Sequence, residues 1–155
     1  WQWRLKKQKG KIFYTSFEAF PMSPEQMVKA QNEFDQISCI KQEFSSLWNA
    51  LLETGELNGN DYNLRLILGD ARRTIKSFDT QVDCWFLDGF SPAKNPELWE
   101  KKLMEEVFRC TASQGTLSTY SAAGIVRKNL NLAGFKVERI NGFGRKRHMT
   151  IAVKK

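Results

Sequence analysis

A chain of 155 residues with 41% apolar and 12% aromatic side chains can bury a core as one domain and is too apolar for disorder. Its apolar runs are a few residues long, far short of the roughly 20 that span a bilayer, and no charged-then-apolar leader opens it, so a soluble protein without membrane contact is expected. The balance of 24 basic against 17 acidic side chains, a net charge of +7, points to a polyanionic partner, with nucleic acid ahead of a membrane surface and a merely soluble basic surface as the alternative.

Taken in chain order, residues 11–17 read as a short buried strand ending at Glu18. Ser23 as N-cap and Pro24 at the first helical position open a helix to about Phe34. A second helix over residues 41–53 carries Phe44, Leu47, Trp48, Leu51 and Leu52 on one face at helical spacing. Residues 55–60 are turn-rich, residues 62–68 alternate as a strand, and Gly69-Asp70 leads into a short helix over 71–76. A strand over 82–87 precedes a helix from Pro96 to about Arg109. Gln114-Gly115 turns into a strand over 116–120, and a helix over 122–133 stops at Gly134. A strand over 135–140, a turn at Asn141-Gly142 with Gly144, and a strand over 146–153 that returns antiparallel complete the pattern.

Alternating strands and helices predict an α/β fold with a mostly parallel sheet covered on both faces. A parallel sheet closed by one antiparallel C-terminal strand has the topology of Rossmann-like class I methyltransferases, although fold analogy alone does not assign a function. Cys39, Cys84 and Cys110 are widely spaced and odd in number, and they build neither a disulfide framework nor a Cys-x-x-Cys metal pattern. They read as buried, reduced thiols of a cytoplasmic protein, and with one histidine in the chain no metal site is expected.

The most telling stretch is residues 83–99. An apolar run, Cys84 to Leu87, stops at Asp88; a glycine, a loop with two prolines and an amphipathic segment follow. In an open α/β sheet this puts a carboxylate at the carboxyl end of a buried strand, where ligands bind. The same residues also suit an Asp turn before a Pro-started helix. Glu18 and Asp70 stand at comparable strand ends. A carboxylate there can accept two hydroxyl donors, and Asp70 can equally cap the helix that follows it. Arg145-Lys146-Arg147 forms a dense cationic step, and residues 1–11 hold five basic side chains with no acid.

Four segments, in order, resemble one family: Ser16-Phe-Glu-Ala-Phe-Pro21, Asp88-Gly-Phe-Ser-Pro-Ala-Lys-Asn-Pro96 with Trp99, Ser121-Ala-Ala-Gly-Ile-Val-Arg127, and Gly142-Phe-Gly-Arg-Lys-Arg147. That family is the methyltransferase domain that finishes 5-methylaminomethyl-2-thiouridine in tRNA, and the resemblance spans essentially the whole chain. It implies an enzyme that methylates the aminomethyl nitrogen of the wobble uridine with S-adenosyl-L-methionine. It also implies a flavin (FAD)-dependent oxidoreductase, fused or separate, that prepares the amine.

On the resemblance, Glu18 contacts the cofactor ribose, Asp70 its adenine, and Asp88 both the cofactor and the reacting amine. An unprotonated amine must be held close to the methyl group, and a carboxylate can orient it and accept its proton. Phe90 and Pro92 wall the substrate pocket, while Lys94, Arg145, Lys146 and Arg147 contact tRNA phosphates; a solvated basic turn is the alternative for the last three. Asn95 reads as an N-cap and His148 as a half-buried structural residue.

The family opens its sheet with a strand and a glycine-rich loop that this chain lacks, since Trp1-Gln-Trp-Arg matches the helix after that loop. The expectation is therefore a domain truncated at its N-terminus, with Glu18, Asp70 and Asp88 still along one edge of the sheet and weak cofactor binding by the chain alone. Two rival readings remain. One is a noncatalytic basic nucleic-acid-binding fragment on a methyltransferase scaffold. The other is a related Rossmann transferase acting on a small amine, which the basic cluster would repel.

Overall fold

The computed structural model describes Lys6, residues 9–32, Phe34 and residues 41–155, so Cys39, residues 1–4 and Lys7 of the basic N-terminal run lie outside the described residues. The chain divides after Thr74 into two compact units.

In the first unit, β1 (Ile12–Glu18), α1 (Pro24–Gln31), α2 (Lys41–Thr54), β2 (Glu56–Asn58), β3 (Tyr62–Leu68) and the single-turn α3 (Ala71–Thr74) follow in order. Ser23 starts α1 as expected, through a reciprocal capping box: its Oγ accepts from the Gln26 amide at 3.3 Å, and its own amide donates to Gln26 Oε1 at 2.8 Å. The helix stops at Gln31, short of the expected Phe34, which is exposed. The apolar stripe of α2 buries Trp48 and Leu51 with Leu66 of β3. Trp48 also donates its indole N–H to the Met22 carbonyl at 3.0 Å, which ties the approach to α1 onto α2. The strand order is β1-β3-β2, with β1 parallel and β2 antiparallel to β3. Residues 56–58 were expected to be turn; instead they pair with β3, after Gly55 reverses the chain at φ +73°.

The second unit runs from a 3-10 turn (Ile75–Ser77) through β4 (Val82–Phe86), a second 3-10 turn (Pro96–Trp99), α4 (Lys101–Arg109), β5 (Thr111–Thr119), α5 (Gly124–Ala133) and β6 (Lys136–Asn141) to β7 (His148–Val153). Its strand order is β4-β5-β7-β6: β4 and β5 are parallel, and β7 is inserted antiparallel between β5 and β6. This is the α/β arrangement with an antiparallel C-terminal strand that the sequence implies. One face of the sheet buries Trp85, Leu117 and Ala152, and the helices α4 and α5 bury Leu103, Met104, Val107, Val126 and Leu130. Lys154 fastens the end of α4 by donating its ammonium to the Phe108 and Thr111 carbonyls at 2.8 and 2.7 Å, a favourable position for a cation at a helix C-terminus.

Three expectations need correction here. The helix from Pro96 is broken at Glu100, whose extended backbone (ψ 150°) separates a 3-10 turn from α4. Gln114-Gly115 is not a turn but an irregularity inside β5: Gln114 takes φ +63°, and Gly115 is crowded by the Thr111 side chain and the Val82 carbonyl. Cys84 is exposed rather than buried, because its side chain lies on the face opposite Trp85. Cys110 is buried, donates its thiol to the Phe78 carbonyl at 3.1 Å, and has its pKa pushed up by that burial.

Candidate active site

In the first unit the parallel pair β1 and β3 ends in register, Glu18 beside Leu68, and the Gly69 amide donates to the Glu18 carbonyl at 2.8 Å. Gly69 makes the turn out of β3 at φ +123°, a conformation that favours glycine. Two acidic residues thus stand at the carboxyl ends of neighbouring parallel strands, the edge at which open α/β sheets hold ligands. The Glu18 side chain is half-buried and no described hydrogen bond engages its carboxylate. A carboxylate left open in this way among the described residues can accept two hydroxyl donors at once.

Asp70 is differently placed. Its carboxylate accepts from the Arg72 amide at 2.9 Å, the capping geometry, and is clamped by the Arg72 guanidinium from Nε and Nη2. The guanidinium first, and the amide second, hold its pKa down to about 2. Both oxygens are therefore already occupied, and a ligand amine reaching Asp70 must compete with Arg72. Spacing alone pointed to the cap; the guanidinium clamp from two residues on has no periodic signal in the sequence.

In the second unit β4 delivers the chain to Asp88. The Leu87 amide continues the ladder to the Ser118 carbonyl at 2.9 Å, and Asp88 then stands exposed at the strand end. The loop behind it is pinned from below by Trp99, only 3% exposed. The Trp99 indole N–H donates to the Phe90 carbonyl at 2.8 Å, and its ring lies where a Cβ on Gly89 would come within 3.1 Å. Asn129 of α5 donates to the Trp99 carbonyl at 2.8 Å and fixes that residue in turn. Lys94 and Asn95 close the loop through amides donated to the Ser91 carbonyl, each at 2.9 Å. Phe90 is left 70% exposed, Lys94 is exposed and Pro92 is half-buried. Asn95 occupies the expected N-cap position, but its side chain makes no capping hydrogen bond.

Strand directions bring the remaining candidates to the same edge of this sheet. Because β6 is antiparallel to β7 and β7 to β5, the carboxyl ends of β4, β5 and β6 and the start of β7 coincide. Asp88, Ser121 and the 142–147 hairpin therefore share one edge. Arg145, Lys146 and Arg147 are exposed, and no ion pair among the described residues engages them. His148 is half-buried, in keeping with a structural role. The expectation of one sheet edge for all three acids is therefore corrected: β1 and β4 pair in different sheets, so Glu18 and Asp70 lie together in one sheet, and Asp88, Phe90 and the basic hairpin in the other.

The comparisons with known proteins agree in direction. The model of a family described as S-adenosyl-L-methionine-dependent methyltransferase matches residues 32–155. A relative from Leptospira interrogans, the tRNA 5-methylaminomethyl-2-thiouridine biosynthesis bifunctional protein MnmC, is 37% identical over 148 residues, 94% of this chain and 23% of the relative. The protein of the same name from a Marinomonas species is 36% identical over 90% of this chain and 21% of its own length. The chain therefore spans less than a quarter of these curated relatives. Among solved structures, that of MNMC2 from Aquifex aeolicus superposes with a TM-score of 0.63 at 27% identity, covering 96% of this chain and 55% of that one. A methyltransferase from Pyrococcus furiosus shares the fold at TM-score 0.52 and 18% identity, over 97% of this chain and 79% of that one.

Proposed function

The chain belongs to the S-adenosyl-L-methionine-dependent methyltransferase family, and from that premise we propose that it methylates the aminomethyl nitrogen of 5-aminomethyl-2-thiouridine at the wobble position of tRNA. One observation carries this reading furthest. The exposed carboxylate of Asp88 and the cationic 142–147 hairpin stand at one edge of one sheet, so a proton-accepting group and a phosphate-binding surface face the same substrate. The names of the Leptospira and Marinomonas relatives support the choice of tRNA and of this nucleoside. The family match over residues 32–155 crosses the division at Thr74, and the Leptospira relative aligns with 94% of the chain, which together support reading residues 1–155 as one methyltransferase domain.

S-adenosyl-L-methionine, when bound, supplies an electrophilic methyl group. Every other contribution comes from the chain. Glu18 accepts the ribose hydroxyls with a carboxylate that no hydrogen bond among the described residues occupies. Asp70 offers a contact for the adenine amine in competition with Arg72. Asp88 orients the substrate amine, keeps its lone pair aimed at the reacting carbon and takes up its proton as positive charge develops. Phe90 and Pro92, on the loop that Trp99 pins, wall the base from water. Lys94, Arg145, Lys146 and Arg147 bind phosphates, so association weakens as salt rises.

The amine-forming step belongs to an FAD-dependent oxidoreductase, fused or separate, a division of labour in line with the word bifunctional in the relatives' names. Cytoplasmic residence follows from the tRNA substrate; no helix among the described residues is long and apolar enough to cross a membrane.

The test is transfer of labelled methyl from S-adenosyl-L-methionine to two tRNA preparations, one bearing 5-aminomethyl-2-thiouridine and one with unmodified uridine. The chain is assayed alone and with the family's glycine-rich strand and loop placed ahead of Trp1. Label confined to the amine-bearing tRNA is expected. Label in neither tRNA, with RNA still bound, would mean binding without catalysis.

A further inference from the structure

The 142–147 hairpin carries an aromatic ring that the phosphate contacts do not use. Phe143 is 82% exposed, and unlike the other exposed aromatic rings it stands one glycine before a run of three cations. The turn holds it there. The Gly142 amide donates to the Arg147 carbonyl at 3.1 Å, and the Lys146 amide donates to the Phe143 carbonyl at 3.2 Å. A Cβ on Gly142 would come within 2.0 Å of the Lys146 carbonyl oxygen, so the close crossing requires glycine, and Gly144 turns the chain at φ +60°. The backbone of Phe143 is thus committed inward, with its ring in solvent and three exposed cations following within four residues.

We propose that Phe143 is a stacking platform for an unpaired RNA base next to the one that reacts, with Arg145, Lys146 and Arg147 holding the phosphates on either side. The proposal rests on the tRNA reading above and deepens it. A ring among cations suits single-stranded nucleic acid, since each base offers a π-face and each phosphate a charge. A duplex does not suit it, because its base faces are already stacked; sequence-specific RNA readers take loops whose bases can splay out. The geometry also fits the scale of one loop. The hairpin lies two to three strand spacings from the end of β4, about 10–14 Å from Asp88's strand along the same sheet edge. A base presented to Asp88 and a neighbour on Phe143 can then belong to one unpaired segment. Phe143 would act by positioning, and it takes no part in proton or methyl transfer.

The experiment compares binding of the wild-type chain, Phe143→Ala, Phe143→Leu and Phe143→Trp to two RNAs. One is a stem–loop with 2-aminopurine in its unpaired loop, the other a blunt duplex of equal charge. Because the ring is exposed, circular dichroism should show all variants folded. The expected result is a loss on the order of tenfold in stem–loop affinity for Ala and Leu, retained affinity for Trp, and unchanged duplex binding. The salt slope should stay constant, and quenching of the 2-aminopurine should disappear with the ring. Leucine keeps the apolar bulk without the π-face, so full affinity in Phe143→Leu overturns stacking, as does an equal loss on both RNAs. If the wild type binds neither RNA, the tRNA reading itself falls, and stacking with it. Salt-sensitive wild-type binding that Phe143→Ala leaves intact removes the stacking proposal alone.

Discussion

Replacing Trp99 by Phe should loosen the loop that carries Asp88 and Phe90 without touching either residue. The substitution deletes the indole N–H that donates to the Phe90 carbonyl at 2.8 Å, a loss of about 1 kcal/mol for a partly buried bond. It also shortens a side chain that is 3% exposed and packed on Gly89, and the space left should cost about 1–2 kcal/mol more. The sum, roughly 2–3 kcal/mol, corresponds to a fall of about 4–12 °C in Tm for a chain of this size. Thermal unfolding measures that total. Amide hydrogen exchange then locates it, with faster exchange expected at Lys94 and Asn95, whose amides close the loop on the Ser91 carbonyl. A Tm within about 1 °C of wild type would refute the view that Trp99 holds this loop. So would a full destabilisation with unchanged exchange at those two amides.

Asp88→Ala should reduce methyl transfer on the order of a hundredfold or more and leave Tm unchanged, since the side chain is exposed; near-normal turnover would remove Asp88 from the mechanism. Arg145→Ala combined with Lys146→Ala should weaken tRNA binding and lower the slope of log affinity against log salt by about two units, checked by titration at several salt concentrations. Asp70 has a folded pKa of about 2 against an ordinary 3.8, held down first by the Arg72 guanidinium, so its stabilising contribution is complete above the ordinary value and is lost as pH falls through 2. Asp70→Asn should therefore be less stable than wild type at neutral pH, and the two thermal midpoints should approach each other as pH falls from 4 to 2; a gap undiminished at pH 2 would speak against the clamp.

Much of the fold was legible because its signals are local. The alternation of residues 62–68 reproduces β3 to the residue, and the stripe from Phe44 to Leu52 marks the buried face of α2. Ser23 starts α1 with its side-chain cap and Gly134 stops α5 with its left-handed backbone, local chemistry that the sequence states outright. The misses arise where tertiary contacts overrule a local preference. Gln114-Gly115 has turn composition, yet its backbone is taken up by Lys154, which receives the Gln114 amide and donates its own to the Gly115 carbonyl. Pro96 begins a helical turn, but the chain must turn Trp99 under the loop at Gly89, and the helix restarts only after Glu100.

The site divides along the same line. Glu18, Asp70 and Asp88 were legible as strand-end acids, and the structure puts each at the end of its strand or just beyond. The Arg72 clamp on Asp70 was not legible, because a pair two residues apart follows no helical spacing. The exposure of Phe143 was not legible either, for a different reason. A single exposed aromatic in a glycine turn has no period, and its exposure is visible only once the turn is built.

The most direct measurement is the identity of the methylated nucleoside. Transfer RNA bearing 5-aminomethyl-2-thiouridine is incubated with S-adenosyl-L-methionine and the chain carrying the glycine-rich strand and loop ahead of Trp1, then digested and analysed by mass spectrometry. The expected outcome is loss of the amine nucleoside and matching appearance of 5-methylaminomethyl-2-thiouridine, abolished by Asp88→Ala. An amine nucleoside that persists unmethylated, or a methyl group found on any other nucleoside, would contradict the assignment.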